Sequence, residues 1–355
     1  MKKISTLSLS FAYVGCFFGA GYVSGQELWQ FFGAFGTMGY AGFALSVILF
    51  IVFGIILVRL AQLTQIEEVD LLVVPWEKLW LRRAVGGMQA FLLFCVVTIM
   101  TAGVAALLEQ MVGLPTWSGG AIFVLIVALI AISGVDGMVR VFSFLMPVLV
   151  ISTIIFAVMA YREFGMDGIF QIEKTNTNPL MPNWFIASLT YVSYNMMGAI
   201  GIMTPVGKRV QEKNIIFSGI TLGGLWMLGV AFSVLSSLAI CPEALQAELP
   251  MVALATRLNT VLGPIYGVLL LLGMFCNALA SLVADVVYLE LKLPPLQSKR
   301  KLTLAVAAAA AWAASLFGFG DLIGIIYPAF GYCGAVFLTF MVIHFVKIKR
   351  QKAEA

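Results

Sequence analysis

Histidine is almost absent: His344 is the one such residue in a chain of 355. A zinc site of the usual kind needs several imidazole or thiolate ligands, and one histidine cannot build it. No Ser-His pair and no His/Asp/Cys cluster is present to run nucleophilic chemistry, so an enzyme is the least favoured class. Cysteines number five. Cys16, Cys95, Cys276 and Cys333 fall inside apolar runs and Cys241 at the end of one, a spacing that suits neither a disulfide framework nor a metal cluster. Charged side chains make up only 11% of the sequence, and no long polar stretch offers a separate soluble domain.

What fills the chain instead is apolar. Hydrophobic residues reach 61% and mean hydropathy is +1.03, values that define an all-α polytopic membrane protein. Ten transmembrane spans are expected at 5–35, 39–63, 84–112, 117–134, 138–161, 183–206, 214–240, 263–291, 302–317 and 322–346. With the N-terminus placed in the cytoplasm, 18 of the 21 basic residues collect on the inner side and only Arg162, Lys174 and Arg257 lie outside. That asymmetry predicts a bacterial inner (cytoplasmic) membrane protein with both termini cytoplasmic. Met1-Lys2-Lys3 before an apolar run could open a signal peptide, but the run is too long and ends in no small-residue cleavage site.

The loop 162–182 carries Asn176, Asn178, Pro179 and Pro182 and reads as irregular and extracellular. Leu249 to Leu262 reads as a short amphipathic surface helix, and the inner loop from Glu67 to Arg83 as a candidate for another. His344, at the inner end of the last span, reads as an interfacial residue.

The most informative stretch is Val14-Gly15-Cys16-Phe17-Phe18-Gly19-Ala20-Gly21-Tyr22-Val23-Ser24-Gly25-Gln26-Glu27. Four glycines and a carboxylate at mid-membrane depth weaken a helix where water cannot replace lost hydrogen bonds. Such backbone is tolerated only if it is buried in protein or lines a wet cavity, where its freed groups can hold a solute or ion. A counterpart, Gly198-Ala199-Ile200-Gly201, follows about 179 positions later, and the third and eighth spans keep the same offset. Five spans is an odd number, so the second set must insert upside down. The expectation is a 5+5 inverted repeat with spans one and six both discontinuous. Residues 1–161 form the first repeat, 162–182 the outer loop, 183–347 the second repeat and 348–355 a cytoplasmic tail.

These features resemble the LeuT-type fold of the amino acid–polyamine–organocation superfamily. The run Gly19 to Glu27, with Tyr191-Val192-Ser193-Tyr194-Asn195-Met196, is most similar to the YkvI-like group of bacterial membrane proteins. The resemblance covers nearly the whole chain, which lacks the eleventh and twelfth spans of many relatives. It implies that Gly19, Ala20 and Gly21 hold the carboxylate of an amino acid. It also implies an ion site between spans one and eight, made by the carbonyls of Gly15, Phe18 and Asn277 and the hydroxyl of Ser281. Ala280 stands where a second hydroxyl belongs, which leaves that site one ligand short.

The residues themselves add detail. Ser24 and Glu27 fit a capping box at the start of the outer half-helix. An ionised Glu27 would compete with a substrate carboxylate, so it is either protonated during part of the cycle or faces a cation. Tyr194, Asn195 and Gly198 are the expected recognition groups of span six, with Met196 and Met197 as an adaptable wall and Thr204-Pro205 restarting the helix. Thr98 and Thr101 of span three, at mid-depth, are expected as further solute contacts, although threonines in apolar helices usually bond back to their own backbone. Asn277, Ser281 and Asp285, four apart, make one polar stripe on span eight, with Asp285 as a charge or a proton carrier.

The function expected is secondary active transport of a small amino acid, zwitterion or amine by alternating access, coupled to Na+ or H+ and needing no other cofactor. The alternative is a solute sensor of the same fold without net transport. A divalent-metal carrier is disfavoured because the first break lacks an Asp. Expected partners are the solute and the bilayer, with no nucleic acid, in a monomer or homodimer.

Overall fold

The computed structural model describes residues 4–66, 68–133 and 138–354. Lys2 and Lys3 lie outside the described residues, as do the side chains of Ala20 and Arg140. In chain order the helices are α1 (Thr6–Gly15), α2 (Ala20–Ser24), α3 (Gln26–Leu28) with a π-helical turn at Trp29–Gly33, α4 (Met38–Thr64), α5 (Val69–Val73) and α6 (Leu79–Val112). There follow α7 (Thr116–Ser133), α8 (Met138–Phe164), α9 (Trp184–Arg209), α10 (Lys213–Ala239), α11 (Pro250–Leu258), α12 (Leu262–Lys292), α13 (Arg300–Ser315) and α14 (Phe319–Glu354). Among the described residues, seven helices are long and apolar enough to cross a membrane, and Thr6–Gly15 and Thr116–Ile132 are shorter apolar helices.

The long helices are apolar nearly all round, as expected where one face meets lipid and the other meets protein. Ile48 and Val52 of α4, Leu125 and Leu129 of α7 and Ile265 and Val268 of α12 stay exposed on the outer wall of the bundle. Facing inward, Tyr13, Phe31, Phe32, Phe50 and Tyr191 are fully buried and stack through edge and tilted contacts. Hydrophobic attraction does little between helices in lipid, so close backbone approach and interhelical hydrogen bonds carry the packing.

Both devices are visible. A Cβ at Gly331 of α14 would lie 2.6 Å from Cα of Thr190 on α9, and one at Gly334 would lie within collision distance of the Ser193 carbonyl. Small residues here let α14 and α9 touch backbone to backbone. Across the bundle, the hydroxyl of Tyr22 donates to the Met227 carbonyl at 2.7 Å, and that of Tyr266 donates to the Val23 carbonyl at 2.7 Å. The Tyr13 hydroxyl donates to the Phe50 carbonyl. These three tyrosines pin the segments on either side of the first-span interruption.

The connecting segments match the sequence expectations in part. Residues 165–183 are irregular and lie across one end of the bundle. Backbone N–H groups of Thr175 and Asn176 donate to the Ala34 carbonyl at 2.9 Å, and the Tyr332 hydroxyl donates to that of Leu180 at 2.8 Å. The surface helix expected at 249–262 is α11, but its Met251, Val252, Leu254 and Ala255 are buried against neighbouring helices. His344 is not a plain interfacial residue. It is buried, and its Nδ1 lies 2.7 Å from the Leu72 carbonyl, tying α14 to α5.

The second helix break is not found. Span six is not broken at 198–201: α9 runs uninterrupted from Trp184 to Arg209. Two glycines lower helix propensity by only about 1 kcal/mol each and do not by themselves end a helix held on all sides by protein. The Thr204 hydroxyl donates back to the Ile200 carbonyl at 2.6 Å rather than capping a new start, so Pro205 sits inside the helix.

Gly331→Ala should lower stability by about 1–3 kcal/mol through overpacking the α14–α9 seam. Gly229 faces open space, and Gly229→Ala should leave stability unchanged or slightly raised. Thermal unfolding of the two variants in detergent checks this.

Candidate functional site

The helix of span one stops at Gly15 and resumes at Ala20. Between them the N–H groups of Phe17 and Phe18 both donate to the Val14 carbonyl, and that of Gly19 donates to Phe17. The carbonyls of Gly15 and Phe18 receive no backbone donor among the described residues. They are the free acceptors that a break produces, and water cannot reach them from lipid. A second irregularity follows at Gly25, whose φ of +86° separates α2 from α3. An L side chain is strained there, and a Cβ would also strike Leu238 at 2.8 Å.

That local geometry decides where Glu27 goes. The capping box expected of Ser24 and Glu27 is not formed. Ser24 ends α2, its hydroxyl donates to the Gly21 carbonyl at 3.2 Å and accepts from the Gln26 N–H at 3.4 Å, and Gly25 is the cap of α3. The left-handed turn throws Glu27 back along the helix, across Gly21. A Cβ at Gly21 would collide with Glu27 Oε2. The missing side chain at Gly21 is the space that the carboxylate occupies.

Glu27 is 4% exposed. The hydroxyl of Tyr194 on α9 donates to its Oε1. The Tyr194 ring stacks on Tyr327 of α14, with centroids 4.4 Å apart and 11° between planes. Tyr191 stands edge-on to Tyr194 at 5.7 Å, and Phe31 closes the group 5.1 Å from Tyr191 and 5.7 Å from Tyr194. The Tyr191 hydroxyl is buried without a hydrogen-bond partner among the described residues. Glu27 forms no ion pair among them either. One turn after Tyr194 on the same helix, Gly198 borders open space.

The expected residues therefore divide. Gly21, Glu27 and Tyr194 come together at the interruption, and Asn195 adjoins them with its amide donated to the Tyr191 carbonyl at 3.0 Å. Asn277 reaches the break too, its Nδ2 3.2 Å from a Cβ placed on Gly19. Ala20 opens α2, with its side chain outside the described residues. Thr98 and Thr101 are buried but donate to the carbonyls of Phe94 and Val97 in their own helix. Ser281 and Asp285 are buried on α12, and their side chains make no hydrogen bond among the described residues.

Asp285 does not continue the stripe toward span one. It borders a groove of about 590 Å³ beside Phe91, Phe94 and Tyr288, between α6, α12 and α13. A stripe of residues four apart drifts around a helix of 3.6 residues per turn, which carries its far end off the shared face. Tyr191 and Tyr327 escaped the sequence reading as site residues. The available signal was Tyr191 three positions before Tyr194, on the same helix face, and a tyrosine beside Pro328 in an apolar span. No group of three or more His, Cys, Asp or Glu side chains able to hold a metal occurs among the described residues.

A helical membrane bundle with its first span cut at mid-length has the LeuT-type fold seen in solved transporters. MhsT, crystallised in complex with L-phenylalanine, superimposes with a TM-score of 0.66 at 18% identity, covering 95% of this chain and 89% of that one. Mhp1, a nucleobase-cation-symport-1 family transporter in a closed conformation with bromovinylhydantoin bound, gives 0.60 at 16% identity over 92% of this chain and 74% of its own. In sequence, the chain is homologous to the membrane protein YkvI of Bacillus subtilis (strain 168), at 25% identity over 344 residues and 95% of each chain. No family model matches it.

Gly21→Ala should destabilise the protein by driving a methyl into the Glu27 carboxylate, and Glu27→Ala in the same chain should relieve part of the loss. A double-mutant cycle on thermal stability should then show non-additivity of about 1 kcal/mol or more; additive effects would mean that the carboxylate does not lie over Gly21.

Proposed function

We propose that the chain is a secondary active transporter that moves a small organic solute by alternating access. The observation that carries this reading is the interruption of span one at Cys16–Gly19, beside the buried Glu27–Tyr194 pair. Unpaired carbonyls and a carboxylate inside an apolar bundle are costly to keep and are retained where they bind something. The structural comparisons add weight, since Mhp1 is a transporter with a ligand bound.

Packing supports ten spans arranged as two inverted halves of five. α4 packs on α9 as α10 packs on α1, α6 on α7 as α12 on α13, and α12 on α8 as α6 on α14. Exchanging the halves turns each contact into another that is present, as a pseudo-two-fold axis requires. Of spans one and six, among the described residues, the first alone is interrupted, so the rocking motion would flex at one break rather than two.

Access is asymmetric. At the end crossed by residues 165–183, Gln30 Nε2 donates to the Gly320 carbonyl at 3.0 Å, Asn178 Nδ2 donates to that of Gly324 at 2.7 Å, and Glu248 accepts from the Gly320 N–H at 2.9 Å. Deeper along the chain, Gly15 and Gly198 border open space. Those hydrogen bonds support a carrier closed at the end crossed by residues 165–183, which the proposed topology makes the outer one. Gly15, Phe18, Asn277 and Ser281 would hold a coupling Na+, or Asp285 would carry a proton. Gly19, Ala20, Gly21, Tyr194, Asn195 and Gly198 would meet the solute, in a bacterial cytoplasmic membrane with both termini inside.

Proteoliposomes loaded under a Na+ or H+ gradient should accumulate solute, and an ionophore that collapses the gradient should release it. Where the H+ gradient drives accumulation, Asp285→Asn should remove that dependence while leaving the protein folded; where Na+ drives it, the change should leave the dependence intact. Saturable binding without accumulation under either gradient would make the chain a solute sensor instead.

A further inference from the structure

The arrangement around Glu27 says which solute the site takes. We infer that it recognises an organic cation without a carboxylate beside its charged group, a primary or quaternary amine or a guanidinium, and not an amino acid zwitterion. This assignment rests on the transport site proposed above and narrows it.

The argument starts from what already occupies the Gly21 gap. In a site built for a zwitterion, the glycines of the interruption must leave their space and their N–H groups to the incoming carboxylate. Here the protein's own carboxylate fills that space, with Oε2 against Gly21 and Oε1 taken by the Tyr194 hydroxyl. A second carboxylate at Gly19–Gly21 would face Glu27 at contact distance in a medium that screens poorly, and like charges so placed repel strongly. Among the described residues no lysine, arginine or histidine pairs with Glu27 to cancel that repulsion.

The walls carry the complementary half. Tyr191, Tyr194, Tyr327 and Phe31 are each at most 5% exposed and pack face and edge on one another around Tyr194, whose hydroxyl holds the carboxylate. Aromatic faces attract a desolvated cation through the ring quadrupole, and a carboxylate within the ring cluster supplies its counter-charge. The Tyr191 hydroxyl is fully buried close to Glu27 and makes no hydrogen bond of standard geometry, a costly state in such a region. An ammonium or guanidinium N–H does not satisfy it as a donor, but the hydroxyl oxygen accepts from one. Asn195 completes the set: its Nδ2 is tied to the Tyr191 carbonyl, which leaves its amide oxygen as a further acceptor. The Asn195 amide oxygen and the Tyr191 hydroxyl oxygen are thus acceptors open to a cationic N–H beside the Glu27 carboxylate.

The test uses the purified full-length protein and three pairs of compounds that share a cation and differ by a carboxylate: 2-phenylethylamine with L-phenylalanine, agmatine with L-arginine, and choline with glycine betaine. Binding is read from ligand-dependent thermal stabilisation in detergent. In at least one pair the carboxylate-free member should bind roughly tenfold tighter or more, and Glu27→Gln should abolish that preference. Because the preference is first read on the unaltered chain, a variant that fails to fold does not shelter the inference. It is overturned if the carboxylated member binds as tightly in every pair, if none of the amines binds, or if a folded Glu27→Gln protein keeps the preference. Gradient-driven uptake of a zwitterion would remove the cation assignment and leave transport standing. Amine binding that requires Glu27, without uptake, would remove transport and leave the cation assignment standing.

Discussion

A carboxylate folded back over a glycine is the constraint around which this molecule is organised. Burying Glu27 in a bundle of Phe, Leu and Val exposes it to a penalty of several kcal/mol unless partners are supplied. The chain supplies Tyr194 from a helix 167 positions away and the gap at Gly21 from within the same span. Satisfying one acidic group therefore fixes the left-handed turn at Gly25, the register of α9 against span one, and the approach of α14 through Tyr327.

The tyrosines show how such a constraint spreads. Tyr13, Tyr22 and Tyr266 use their hydroxyls to hold backbone carbonyls on or next to other elements, and each lies beside or against the interrupted segment. Interhelical hydrogen bonds of this kind contribute only about 0.6 kcal/mol apiece on average in a membrane. Their effect here is positional. They prevent the freed peptide groups at 16–19 from relaxing into a continuous helix, which would satisfy those groups and erase the break.

Hydropathy and glycine spacing were enough to locate most of the spans and the first interruption, because both are one-dimensional properties of the chain. The long apolar runs became long helices within a few residues, and Gly15, Gly19, Gly21 and Gly25 bracket the irregular backbone. The same glycine signal misled at Gly198 and Gly201, since glycine also serves close packing and open space inside unbroken membrane helices. Three-dimensional neighbours were out of reach. Ser24-x-x-Glu27 has the form of a capping box, and only the positive φ at Gly25 reveals that the pattern is coincidental. Tyr327 joined the cluster through packing of the last span on the sixth, a contact that no local pattern announces. Asp285 is buried but turned toward a different neighbour from the rest of its stripe, because a spacing of four accumulates rotation over two turns.

The backbone contact between α14 and α9 at Gly331 and Gly334 bears on how the molecule can move. Two rods that approach so closely at their glycines, with only small side chains between them there, resist sliding or rolling past each other. They form a single stiff girder. Tyr194 and Tyr327 ride on opposite members of it, so one wall of the cluster keeps its shape through any excursion. The compliance must then reside across from it, in the four residues where span one has no helix at all.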